Sequence, residues 1–170
     1  MHTSWFKSCD QQKNNGQMEI YRIRNDTLNM TEKPKHAKKK LEVILDSNAL
    51  FVPLQFKIDI FEELQTLLSI KFETVLLSPV QKELETIAEK GSPKMRKWAS
   101  YALKLAEKCV FLEVEEKNVC SPDDAIFEVA RKYNWLVFTN DRKLRRRLRN
   151  ISVPVIYVRQ KSHLEIDGRI

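Results

Sequence analysis

Five carboxylates occupy positions where apolar runs end or helices begin. Asp46 follows directly on the run 41–45 (LEVIL). Glu83 lies about a turn into the segment after the run 74–77 (TVLL). Asp123 and Asp124 follow Ser121-Pro122, and Asp141 comes after Thr139-Asn140 at the end of the run 135–139 (WLVFT). If the apolar runs are parallel strands, all five acids gather beyond one edge of a sheet. Crowded carboxylates repel, and a bound dication is the natural way to offset them. Hard oxygen donors without Cys or His favour Mg2+ or Mn2+. Each acid alone also has a plain structural explanation. Asp46 can end a strand in a turn, Glu83 can be a solvated helix residue and Asp141 an N-cap. Asp123 and Asp124 can serve a helix dipole, worth ~0.3–1 kcal/mol. The convergence of independent chain positions on one edge sets the metal reading above these.

The elements that must position the acids alternate in type. The run 41–45 reads as a buried parallel strand. Phe56, Ile60, Leu64, Leu67 and Leu68 recur at helical spacing, so an amphipathic helix is expected there. The run 74–77 is the second strand. Ser78-Pro79 reads as N-cap plus N1 proline of a helix ending at Gly91, and Ser92-Pro93 opens another to about Lys108. A third strand spans 110–114, and Ser121-Pro122 caps a helix carrying Ile126, Val129, Ala130 and Tyr133. The fourth strand is 135–139, a short helix covers 142–149, and a fifth strand runs over 153–158 (VPVIYV). This alternation predicts an α/β domain with a central, mostly parallel five-stranded sheet. In such sheets the chemistry lies beyond the carboxyl ends of the strands.

Composition narrows the class. The chain has 170 residues, 42% of them hydrophobic, with three Gly and six Pro. That is one globular domain, with no apolar run of ~18 residues to span a membrane. No apolar stretch resembling a secretory signal begins the chain. Cys9, Cys109 and Cys120 lack C-x-x-C spacing, and His2, His36 and His163 are scattered, which argues against a Cys/His zinc site and for a reducing compartment. Cys109 stands at helical spacing from Trp98, Ala102 and Leu105, and Trp98 and Tyr101 are expected to pack in the core rather than stack on bases. No Ser/His/Asp or Cys/His arrangement and no Gly-rich phosphate loop competes with the carboxylates.

The formal net charge is +7, and its distribution is uneven. Residues 1–40 carry nine Lys/Arg against four Asp/Glu, whereas 41–170 carry 21 against 19. The first 40 residues read as a basic, flexible leader ending in KPKHAKKK, residues 41–160 as the domain and 161–170 as a tail. A second cluster lies inside the domain. Arg142, Lys143, Arg145, Arg146, Arg147 and Arg149 surround Leu144 and Leu148, two apolar residues four apart that would pin a helix to the body. Charge runs are usually solvated faces. Six cations with no intervening acid, beside Asp141, favour contact with a polyanion such as RNA.

The ordered set Leu45-Asp46-Ser47-Asn48-Ala49, then VQKEL at 80–84, then Asp123-Asp124-Ala125-Ile126 with Ala130, then Thr139-Asn140-Asp141 resembles the PIN-domain nuclease motifs. The resemblance covers about 41–158. It implies a three-layer α/β/α fold and a site binding one or two Mg2+ or Mn2+ ions for RNA phosphodiester hydrolysis. The acids it implies are Asp46, Glu83, Asp124 and Asp141. Asp124 matches because it directly precedes the Ala-Ile pair, and Asp123 is an additional ligand candidate. Ser47, Asn48 and Thr139 are implied to orient ligands or a metal-bound water. The segment 139–149 (TNDRKLRRRLR) followed by 153–159 (VPVIYVR) is similar to the small-subunit rRNA-processing PIN endonucleases of archaea and eukaryotes. That likeness implies pre-rRNA or a pre-ribosomal particle as partner, and a cytoplasmic location, or nucleolar in a eukaryotic source. The family often forms homodimers. The alternatives are a VapC-type toxin ribonuclease, a non-catalytic RNA-binding PIN scaffold, and structure-selective DNA cleavage.

Overall fold

A computed structural model describes residues 40–115 and 121–170. The leader 1–39 lies outside the described residues, as do Cys9 and Cys120. The central strand β1 (Leu41–Leu45) places Val43, Ile44 and Leu45 at 0% exposure. Burying each such side chain contributes ~1.5–3 kcal/mol, which explains why the run carries almost no polar residue. β2 (Phe72–Leu77) and β4 (Leu136–Phe138) flank β1, both parallel to it. Outside them lie β3 (Val110–Leu112) and β5 (Val155–Arg159), also parallel to their neighbours. The sheet order is β3-β2-β1-β4-β5-β6, and helices complete a three-layer α/β/α arrangement.

The sheet has six strands where five were expected. β6 (His163–Asp167) pairs antiparallel with β5, so the segment read as a C-terminal tail closes the sheet edge. Leu164 is buried at this edge, 4% exposed. The turn before β6 holds Gln160 and Lys161 at φ 51° and 58°, a left-handed geometry with no glycine to announce it.

Helix starts show which sequence signals acted. The helix α1 (Ser47–Leu50) is capped by Asp46, whose side chain accepts from Ser47 N. The expected helix through Phe56 and Leu68 is broken. Phe56 ends α2 (Val52–Phe56), Lys57 turns left-handed at φ 59°, and α3 (Ile60–Leu68) restarts with Asp59 as N-cap. α4 (Ser78–Lys90) begins one residue earlier than predicted. Ser78 is inside the helix, and its hydroxyl accepts instead from Val114 N at 2.9 Å, tying the chain beyond β3 to the helix start. Ser92 and Ser121 do cap α5 (Pro93–Ala106) and α6 (Pro122–Tyr133). α7 (Arg142–Asn150) buries Leu144 and Leu148 completely, as their spacing predicts. Cys109 lies past the end of α5, half-buried, with desolvation raising its thiol pKa. Tyr101 is 40% exposed on α5, against the expectation of core packing. No helix among the described residues is long and apolar enough to cross a membrane.

Candidate active site

The chain leaves β1 toward β2 on one side, and β4 lies on the other. The crevice between β1 and β4 is therefore the point where strand order reverses, the place where open α/β sheets bind ligands. Asp46 emerges there from β1, its N–H bonded to Phe138 O of β4 at 3.1 Å. Thr139, Asn140 and Asp141 leave β4 beside it.

These residues form one hydrogen-bonded unit. Asp46 Oδ1 accepts from Ser47 N at 2.7 Å, while Oδ2 accepts from Asn48 Nδ2 at 2.5 Å and from the Thr139 hydroxyl at 2.6 Å. Thr139 Oγ1 in turn accepts from Asp141 N at 3.0 Å. Asn140 N donates to Asn48 Oδ1, and Asn140 Oδ1 accepts from Val158 N, each at 2.8 Å. Thus Asn48 and Asn140 bolt the ends of β1, β4 and β5 together. Asn140 stood within the sequence motif without a role assigned to it; an amide two residues past a buried strand end was the signal available.

Asp46 is 3% exposed, and its carboxyl is pushed up from 3.8 to about 6. Burial is the main cause, and the charges of Asp123 and Glu83 add to it, while the Thr139 hydroxyl and Ser47 N–H act against it. Asp123, half-buried, is also raised, first by desolvation and then by Asp141 and Glu83. Asp46, Glu83, Asp123 and Asp141 therefore share one negative field. Asp141 caps α7 through Oδ1, which accepts from Lys143 N at 2.6 Å and Leu144 N at 3.4 Å, while Oδ2 takes no hydrogen bond among the described residues.

The two α6 acids differ in their surroundings. Asp123 feels the charges of Asp141 and Glu83. Asp124 is paired, with Oδ1 taking Arg147 Nη2 at 2.7 Å and Oδ2 taking the Ser121 hydroxyl at 2.8 Å. The Arg147 hydrogen bond keeps the Asp124 carboxyl below the usual range. Adjacent helical positions point about 100° apart, so the two acids meet different neighbours. Among the described residues no three ligand-type side chains already converge on one point. The donor set nonetheless fits a hard dication: all carboxylate oxygens, one of them made more basic chiefly by burial and further by like charge.

The six cations of α7 separate into two groups. Arg147 pairs with Asp124 and lies 4.9 Å from the Phe127 ring centroid, Arg149 pairs with Asp167 at 3.0 Å, and Arg145 lies 4.3 Å from the Tyr157 ring centroid. Arg142, Lys143 and Arg146 are exposed and carry no ion pair among the described residues.

Thr139 offers a stability test. It is fully buried, and its hydroxyl both donates to Asp46 and accepts from Asp141 N. Thr139→Val keeps the shape but leaves a buried carboxylate short of a donor and an amide without its acceptor. A loss of about 2–4 kcal/mol is expected in urea unfolding at pH 7.5. A loss below ~0.5 kcal/mol would refute the bridging role assigned to this hydroxyl.

Comparison with known proteins identifies the family and the fold. Residues 43–161 match the family model described as a PIN like domain. The chain is 32% identical over 130 residues to Ribonuclease VapC4 of Methanocaldococcus jannaschii, covering 76% of this chain and 98% of that protein. It is 27% identical over 124 residues to Ribonuclease VapC9 of Archaeoglobus fulgidus, covering 73% and 87% respectively. Among solved structures it is similar to the PIN domain endonuclease Utp24, with TM-score 0.63 and 30% identity, covering 76% of this chain and 92% of that one.

Proposed function

The chain belongs to the PIN-domain family, and from that premise we propose that it is a divalent-metal-dependent endoribonuclease. The observation that carries the reading is Asp46. It is a buried, orientationally locked carboxylate whose charge is opposed by burial and by neighbouring acids, at the sheet's switch point. Burying such a group without a countercharge is costly, and perturbed carboxylates in a crevice mark functional sites.

Asp46, Glu83, Asp123 and Asp141 would hold Mg2+ or Mn2+. A dication held there would supply Lewis acidity to activate a water and to offset charge on the departing oxygen. The chain's own residues do the positioning. Ser47 N–H, Asn48 and Thr139 fix both oxygens of Asp46, and Thr139 carries that order on to Asp141. Arg142, Lys143 and Arg146 supply phosphate-binding charge at the start and outer face of α7, which Asp141 caps. Asp124 holds α6 against α7 through Arg147.

The α6 acids give a direct test of this assignment. Asp123→Asn should lower metal-dependent cleavage at least tenfold more than Asp124→Asn does, in the same buffer. Equal losses, or a larger loss from Asp124→Asn, would return Asp124 to the metal set.

Within the nuclease class we favour ribosomal RNA processing. The support is the likeness of 139–159 to the rRNA-processing PIN enzymes, and the similarity to the PIN domain endonuclease Utp24 supports the endonuclease class. The second reading is a VapC-type toxin, favoured by the names of both curated relatives. The test is incubation with labelled rRNA precursor fragments, tRNA and mRNA in Mn2+, with EDTA as control. Cuts confined to precursor junctions support processing, and cuts in tRNA or mRNA support the toxin. Specific binding without metal-dependent cleavage on any substrate would sink the nuclease reading.

A further inference from the structure

A cleft of about 590 Å³ opens beside the acid cluster, lined by Phe56, Arg142, Arg145, Tyr157, Arg159 and Lys161 together with Asn140. We propose that it binds one flanking nucleotide of a single-stranded RNA, its base on the Tyr157–Arg145 platform and its phosphate at Arg142 and Lys161. This deepens the nuclease reading and rests on it.

Position comes first. Asn140 is a wall of the cleft and also donates to Asn48, whose amide holds Asp46. A strand leaving the acid cluster past Asn140 therefore enters the cleft. Charge comes second. The lining contains four cations and no acid. Arg159 is engaged by Glu165, but Arg142 and Lys161 are exposed and without an ion pair among the described residues. Lys161 is held on the rim by the left-handed turn at φ 58°, a conformation costly for a non-glycine residue and typical of functional sites.

Shape comes third. The Arg145 guanidinium lies 4.3 Å from the Tyr157 ring centroid, and Tyr157 is fixed by donating its hydroxyl to Glu165 at 3.0 Å. A held ring with a stacked guanidinium offers flat surface to a base of any identity, the usual device for single strands. The cleft's volume suits one nucleotide, and bases paired inside a duplex could not reach the ring.

A second groove supplies an internal control. It has about 510 Å³ and is lined by Arg96, Lys97, Tyr101 and Lys104 with Pro93 and Ser100. It carries three cations, yet it lies along α5 alone and includes no residue of the hydrogen-bonded unit around Asp46.

The experiment is fluorescence anisotropy of a labelled mixed-sequence ten-nucleotide RNA with the full chain in EDTA, where cleavage plays no part. Arg142→Gln/Lys161→Gln should raise Kd at least tenfold and flatten the log–log salt slope by about 0.7, the value for one lost phosphate contact on a single strand. Tyr157→Leu should raise Kd several-fold with the slope unchanged, and Tyr157→Phe, which keeps the ring but loses the hydroxyl's hold on Glu165, should raise Kd less than Tyr157→Leu does. Lys97→Gln/Lys104→Gln should stay within twofold of wild type. Unchanged affinity in Arg142→Gln/Lys161→Gln overturns the proposal, as does an equal loss from the α5 pair or equally tight binding of a blunt duplex. Cleavage by Asp46→Asn, assayed separately in Mn2+, reports on the nuclease reading alone, so the two failures are distinguishable.

Discussion

Asp46→Asn is expected to abolish metal-dependent RNA cleavage, by on the order of 10³-fold or about 4 kcal/mol of barrier, while the protein stays folded. The size of the effect follows from position. Asp46 is the one buried acid among the described residues, fixed by three donors at 2.5–2.7 Å on two oxygens, so no neighbouring side chain can take its place. Glu83 and Asp141 are half-exposed and can adjust. The fold survives because the substitution removes a charge whose burial is unfavourable. Its cost is an amide NH2 facing at least one of the donors that now serve the carboxylate, a conflict worth ~1–3 kcal/mol. Circular dichroism and unfolding would check the fold, and single-turnover cleavage with Mn2+ the activity. A folded Asp46→Asn protein cutting within tenfold of the wild-type rate would end the metal-site assignment.

Much of this site was legible in the sequence because strand ends are. An apolar run buried on both faces can end only where polarity returns, and Asp46 and Asp141 stand at two such points, on strands that proved adjacent. Leu144 and Leu148 likewise announced the buried face of α7. What could not be read depended on partners distant in the chain. The different surroundings of Asp123 and Asp124 are set in part by Arg147, 23 residues beyond Asp124. The grouping of six cations into paired and unpaired ones needed Tyr157, Asp167 and Asp124 in place. β6 escaped notice although Leu164 and Ile166 alternate with polar residues. Its turn uses Gln160 and Lys161 in left-handed geometry rather than the Gly or Asn that signals a tight hairpin. The same absence of glycine at Lys57 hid the break between α2 and α3, where Asp59 was the only cue to a new helix start.

Stability in EDTA should depend on pH partly through Asp46. Its carboxyl rises from 3.8 in the unfolded chain to about 6 in the fold, so the folded protein holds the proton more tightly. Between those values the folded state binds more protons, and stability falls as pH rises. The contribution is fully present below pH ~4 and lost above ~6, a span worth about 3 kcal/mol for a group this buried. Asp123, raised in the same direction, adds to the trend, whereas Asp124, lowered by Arg147, opposes it. The clean measurement is therefore the difference between wild type and Asp46→Asn. The amide conflict is independent of pH, so this difference should move by about 2 kcal/mol in favour of the variant between pH 4.5 and 7.5. Mn2+ should act in the opposite sense, because it binds the ionised carboxylate. At a hundred times its Kd it should stabilise the wild type by about 2.7 kcal/mol at pH 7.5, and much less at pH 5. Asp46→Asn should gain little from the ion at either pH. A variant stabilised by Mn2+ as strongly as the wild type would place the ion elsewhere. A pH-independent difference would mean that the buried charge does not titrate as its surroundings dictate. If both results hold, the acid that the fold can least easily bury is the one that makes the site, and the ion recovers in binding what the empty cluster costs in stability.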